Sequence, residues 1–215
     1  MNKITILIFL FSSIIFSQKN YNKVSFEPCI VYSKPLSNIS SDGSGNFSSF
    51  PKYSLAVRYM FNQKIGLRGV ANYDSFEENG KGSKHYRFNL ELYYNIGDWF
   101  ELNRATNYNA ALYSHFGAGG TYVNSKIEGV EIGYIPGWER QINLTMGLSP
   151  RFRISDVISI VTDFTYVMAI KQHFYYSGEP IINSGSSGLT GGHITFALGL
   201  SISLDNNYDD HADFN

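Results

Sequence analysis

The sequence predicts an all-β protein, an eight-stranded antiparallel up-and-down transmembrane β-barrel. Three observations lead there. Apolar residues recur with period two almost throughout the chain beyond residue 17. The charges within those segments keep to one side of the alternation. The connections between segments are long on one side and short on the other.

Residues 1–17 are expected to be a secretory signal. Asn2 and Lys3 open it, Ile4 to Phe16 is apolar apart from Thr5, Ser12 and Ser13, and small Ser17 precedes Gln18. The run is too short for a membrane anchor. Removing it takes away Lys3 and no acid, leaving 16 bases against 18 acids. Such balance gives no reason to expect a nucleic-acid partner. The single cysteine, Cys29, excludes an intramolecular disulfide and lies too far from the apolar run for lipoprotein attachment.

The first strand is expected at 24–32, with Val24, Phe26, Ile30 and Tyr32 opposed to Ser25, Glu27 and Cys29. At 53–61, Tyr53, Leu55, Val57, Tyr59 and Phe61 alternate with Ser54, Ala56, Arg58 and Met60. Segment 65–75 sets Ile65, Leu67 and Tyr73 against Arg68, Asn72 and Asp74. Segment 85–96 is the cleanest, Tyr86, Phe88, Leu90, Leu92, Tyr94 and Ile96 against Arg87, Asn89, Glu91, Tyr93 and Asn95. Segment 109–122 is blurred by Gly117, Gly119 and Gly120, which point to a bend or a close approach. Segments 141–153 and 157–168 carry Arg151, Arg153 and Asp163 on their polar sides, and 193–204 alternates from Ile194 to Leu204. Each segment is about the 9–11 residues that a tilted membrane strand needs. Gaps 33–52, 76–84, 123–140 and 169–192 read as long loops; 62–64 and 154–156 are tight, and 97–108 is intermediate. Long loops on one side place both termini in the periplasm.

Period two does not say which face is inside, since a soluble ligand-binding barrel alternates too. The charges decide. All ten lysines fall outside the eight expected strands. The nine strand-borne charges, Glu27, Arg58, Arg68, Asp74, Arg87, Glu91, Arg151, Arg153 and Asp163, all lie on the polar face, which carries small residues where a soluble strand would show Lys and Glu: Ser54, Ala56, Gly147, Ala197, Gly199, Ser201 and Ser203. A charge facing lipid costs about 2–4 kcal/mol near the midplane for Arg or Lys, which explains such a partition. Tyrosines near strand ends fit interfacial girdles.

The last strand, Phe196 to Leu204, resembles the assembly signal of outer-membrane barrels, with Gly199 before alternating Ile202 and Leu204. The block from Gly147 to Asp156 resembles a strand–tight turn–strand of OmpA-like barrels, and the plan over 24–204 is similar to the OmpA N-terminal barrel. The resemblance implies a small porin-family barrel of a Gram-negative cell envelope, delivered by the barrel assembly machinery. It also implies that Glu27, Glu91 and Asp163 pair with the arginines across the lumen. The signal ends in Leu204 rather than a terminal aromatic, and residues 205–215 form an acidic, expectedly periplasmic tail in place of a peptidoglycan-binding domain.

No catalytic residue, metal site or cofactor is expected. The five histidines show no metal-ligand spacing. His193 and Thr195, with Ser186 and Ser187 nearby, match no lipid-modifying enzyme specifically. The loop patch His173, Phe174, Tyr175 and Tyr176 is a candidate contact surface for a partner or lipopolysaccharide, or part of the outer girdle. The function expected is non-enzymatic: a structural or accessory subunit, in contact with outer-membrane lipid, lipopolysaccharide and another outer-membrane protein complex. The alternatives are an enzyme acting on outer-membrane lipid and a narrow channel.

Overall fold

The computed structural model describes residues 23–37, 39–43, 45–48, 50, 52–127, 130–132, 138–181 and 188–204. The expected signal peptide and acidic tail lie outside them, as do Ser186 and Ser187.

Eight strands form the wall: β1 (Val24–Ser37), β2 (Lys52–Met60), β3 (Ile65–Glu78), β4 (Lys81–Asn95), β5 (Ala110–Ile127), β7 (Trp138–Arg153), β8 (Ile158–Gln172) and β9 (Leu189–Ser203). A three-residue strand, β6 (Val130–Ile132), pairs with the end of β5 alone. Each wall strand is antiparallel to the next. Pairing of β1 with β9 and of β4 with β5 closes the barrel, so each of the eight wall strands has a neighbour on both sides. Following the register from Ser25 through Arg58, Arg68, Glu91, Gly117, Thr145, Val167 and His193 returns to β1 at Pro35, ten residues further along. That shear with eight strands sets a tilt of about 40°.

The connections sort the barrel into two ends. The turn end holds 61–64, 96–109 and 154–157. The first and last of these are tight, with Asn62 Oδ1 accepting from the amides of Lys64 and Ile65 at 2.8 Å and Ser155 Oγ accepting from that of Ile158 at 3.1 Å. The intermediate connection is helical, a 3-10 turn at Gly97–Phe100 followed by α1 (Leu102–Ala105). The opposite, loop end departs from the four expected long loops at one of them. Residues 76–84 are a two-residue hairpin: Asn79 and Gly80 take φ of 51° and 80°, the left-handed pair of a type I′ turn. The strands extend past the expected bounds there, which brings Lys34, Lys52, Lys81, Lys84, Lys126 and Lys171 into strands. Blurred segment 109–122 lies, from Ala110 on, within the longest strand. Its Gly117 and Gly119 face inward with the β4 backbone against them: a Cβ at Gly117 would stand 2.5 Å from the Leu90 carbonyl oxygen.

Side chains alternate as the sequence implies, with the apolar set outward. Leu55, Val57, Phe88, Leu90, Leu92, Phe116, Met146, Leu148, Phe164, Phe196, Leu198 and Leu200 are exposed around the wall. Four outward tyrosines, Tyr53, Tyr73, Tyr86 and Tyr122, are in register across β2 to β5. Towards the loop end from that row the outward positions turn polar, with Lys84 and Glu77 3.6 Å apart.

Candidate functional site

The interior holds the candidate site, in two tiers of polar side chains. The tier nearer the turn end centres on Glu27 of β1. It is fully enclosed, and Arg58, Arg68 and Arg151 reach it from β2, β3 and β7 at 3.0, 3.2 and 2.7 Å. Arg58 and Arg68 are cross-strand neighbours, a repulsive placement that the shared carboxylate resolves. Arg68 also reaches Asp163 Oδ2 at 2.7 Å and Glu91 Oε2 at 3.5 Å. His115 stands between those two acids, 3.5 Å from each. Tyr93 donates to Asp163 at 3.1 Å and to this hydroxyl Arg68 also donates; Thr145 donates to Glu91 at 3.1 Å. The guanidinium of Arg151 lies over the rings of Tyr93 and Tyr113, 5.7 and 5.6 Å from their centroids. Three arginines thus meet three carboxylates, a neutral cluster whose members arrive from six strands. Ions removed from water persist only when paired in this way.

The second tier lies nearer the loop end. Asp74 accepts from Arg87 at 3.2 Å and from Ser33 Oγ at 2.6 Å. Lys52, expected outside the strands, is instead the first residue of β2 and fully buried. Its ammonium donates to the Ser33 carbonyl at 3.0 Å and sits 4.0 Å above the Phe76 ring. Between the tiers is a cavity of about 20 Å³ bordered by Val31, Ser54, Arg68, Arg87, Glu91 and Asp163. That is room for about one water molecule.

The loop-end mouth is capped by the chain itself. After β8, residues 173–181 fold back over the opening. Tyr176, expected on an exposed contact surface, is buried among Phe76, His85 and His193; its ring stacks on His85 at 5.3 Å and 8°, and its hydroxyl lies 2.9 Å from His193 Nδ1. Burial raises its phenol pKa above the ordinary value. Phe174 is buried too, whereas His173 and Tyr175 are half-buried. The expectation of a four-residue exposed patch therefore fails at two positions, because the segment turns into the mouth instead of away from it.

Neighbouring hairpins hold the cap in place. The Ser177 amide donates to the Ile39 carbonyl at 2.9 Å, and Glu139 Oε1 accepts from the His173 amide and ring at 2.7 and 2.6 Å. Glu179 accepts from Ser41 Oγ at 2.8 Å and from Lys81 at 3.3 Å. The Ser41 side-chain and backbone hydrogen bonds hold the Glu179 carboxyl below the ordinary carboxylate range.

Of the nine charges on the polar face, eight project into the lumen. Arg153 does not: it is exposed at the turn end and pairs with Asp156 of the adjacent turn. His115, Lys52, Tyr93, Tyr113 and His85 belong to the interior and escaped notice as site residues, although alternation alone places Tyr93 and His85 on the polar side. Gly199 of the expected assembly signal faces inward against Cys29, where a Cβ would stand 2.6 Å from the sulfur. Ile202 pairs with Phe26, and Leu204 is exposed at the turn end.

Solved structures resemble this arrangement. Neisserial surface protein A matches with a TM-score of 0.57 at 10% identity, over 84% of this chain and 97% of that one. Ail, the attachment invasion locus protein of Yersinia pestis, gives 0.44 at 17% identity over 84% and 97%, and the outer membrane protein OprG from Pseudomonas aeruginosa 0.43 at 13% over 85% and 95%. No protein-family model and no curated protein matches the sequence. The closed ring of eight strands, its shear and the likeness to Neisserial surface protein A give one conclusion: the fold is that of a small, OmpA-like eight-stranded outer-membrane barrel.

Proposed function

We propose that the protein is a non-enzymatic integral component of the outer membrane of a Gram-negative bacterium, with a structural or accessory-subunit role and contacts made through its loop end. The observation that carries this reading is the inverted partition of side chains, apolar groups exposed all round the wall and ions paired within. In water the exposed belt would be an aggregation hazard; in lipid it is the stable arrangement. Dimensions agree, since β4 from Tyr86 to Asn95 rises about 23 Å along the axis at a tilt of about 40°. In this reading the loop end faces the medium, both termini face the periplasm, the last strand is read by the barrel assembly machinery, and lipopolysaccharide surrounds the tyrosine row.

The test is extraction and electrophoresis. Membranes from expressing cells should release the protein only with detergent, and the folded form should migrate faster than the boiled form. A detergent-free soluble protein overturns the proposal. The accessory role is tested by mild-detergent pull-down, which should recover a second outer-membrane protein; repeated recovery of the barrel alone counts against it.

The enzymatic alternative has one observation in its favour, the 2.9 Å contact of Ser83 Oγ with His85 Nε2. Ser83 donates to the Tyr176 carbonyl at 3.0 Å, so its proton is engaged away from the ring, and the cap covers both groups. A nucleophile needs the opposite arrangement. Lipid A from cells with and without the gene should have identical mass spectra.

A further inference from the structure

We propose that the helical connection between β4 and β5, Gly97 to Asn109, is a foot that seats Trp99 and Phe100 in the headgroup region of the leaflet at the turn end. The inference rests on the membrane reading above and adds a contact that reading does not assign.

Three observations carry it. The first is exposure: Trp99 and Phe100 are adjacent in one helical turn and are each 69% exposed, the largest value among the large hydrophobic residues described. The second is continuity with the wall. Trp99 packs against Tyr94, 5.6 Å between centroids, and Tyr94 is an outward residue of β4 in line with Leu92 and Leu90. The indole is therefore placed beside the outer, apolar surface and not over the mouth of the barrel. The third is construction. The other two connections at this end are closed by a few residues, whereas this one adds a 3-10 turn and α1 and holds Glu101, Asn107 and Tyr108 at φ of 51°, 50° and 59°. Left-handed backbone at non-glycine residues is strained and persists where surrounding contacts impose it.

Those contacts are present. Lys64 of the neighbouring turn reaches Asp98 at 3.4 Å, the Ile96 amide donates to the Leu112 carbonyl at 2.9 Å, and the Tyr108 amide donates to the Asn103 carbonyl at 2.6 Å. Asp98, Glu101 and Arg104 flank the two aromatic residues in sequence, so the segment joins an exposed aromatic pair to charged neighbours. An aromatic body beside polar groups partitions to the boundary between headgroups and acyl chains.

Two tryptophans make the test direct, because Trp138→Phe leaves Trp99 as the sole indole. The full processed chain carrying that change is folded into phosphatidylcholine vesicles containing lipid brominated either near the headgroup or near the terminal methyl. Folding is followed in parallel by strand circular dichroism and by gel migration without boiling. Trp99 should lose most of its emission to the shallow bromines and little to the deep ones, and aqueous acrylamide should quench it weakly. A folded, vesicle-inserted barrel whose Trp99 ignores both bromolipids and is quenched freely by acrylamide overturns the foot alone. A chain that stays soluble and does not fold into vesicles overturns the membrane reading and the foot with it. As a second measurement, Trp99→Ala with Phe100→Ala should slow vesicle insertion while leaving the folded circular dichroism spectrum unchanged; an unchanged insertion rate counts against the foot.

Discussion

Glu27 joins three arginines, so removing its charge takes one carboxylate from a buried cluster of three cations. Glu27→Ala is expected to cost about 3–5 kcal/mol, the usual consequence of leaving buried charge unpaired. The urea midpoint for loss of the fast-migrating folded form on unboiled gels checks it. Arg153→Ala, at the exposed pair with Asp156, should change stability by less than about 0.5–1 kcal/mol in the same assay. Arg151 and Arg153 of β7 show what a sequence reveals at this scale. Alternation puts Arg151 and Arg153 on the same face, and that much was legible. Height along the barrel was not: Arg151 is fully buried and Arg153, two residues on, has already passed the turn-end rim. Lys52 shows the same effect at the other end. A strand one residue longer than its apolar pattern suggests turns a loop lysine into an interior one.

At the scale of elements, the apolar pattern marked the membrane-facing part of each strand and missed the extensions, where Phe76 and Val123 turn inward while Glu77 and Lys84 lie on the outer face. The hairpin at 79–80 was nevertheless written in the chain, because Asn-Gly is the strongest short signal for a type I′ turn. The stretch 76–84 reads as a loop because its Asn, Gly and Ser interrupt the apolar alternation. Asn79→Val should cost about 1–2 kcal/mol, since a β-branched residue tolerates positive φ poorly; urea unfolding measures it. The cap at 173–181 could not be read at all, because periodicity ends where the strand does and the fold-back depends on residues far away, Ile39 and Glu139 among them.

Acid should loosen that cap. The Glu179 carboxyl is held below its ordinary range when the cap is closed, so its contribution is fully present above the unfolded carboxyl value, about 4.3. It is lost as pH falls through the lowered folded value. Hydrogen exchange at the amides of Tyr175 and Ser177 should accelerate at acid pH relative to the intrinsic rate, and Glu179→Gln should weaken that dependence, the Glu139 contact to His173 keeping its own, while leaving strand amides unaffected.

For the whole molecule, the paired interior and its cavity of about 20 Å³ predict a closed barrel. Purified protein in planar bilayers should give no reproducible single-channel steps at the nanosiemens scale, and stable steps of that size would overturn the closed interior. The fold class was legible because lipid imposes a rule on every residue of the wall; the way the interior is joined was not, because the ten-residue shear decides which arginine meets which acid and is visible only once the ring is closed.

That cluster has a consequence for assembly. Glu27 enters with the first strand, and Arg151, one of its partners, enters only with β7. A half-built sheet entering the bilayer would expose unmatched ions to hydrocarbon, so partial insertion is penalised until the last strands arrive. Biogenesis is then expected to be all-or-none, the ionic knot acting as a checkpoint that only the finished cylinder passes.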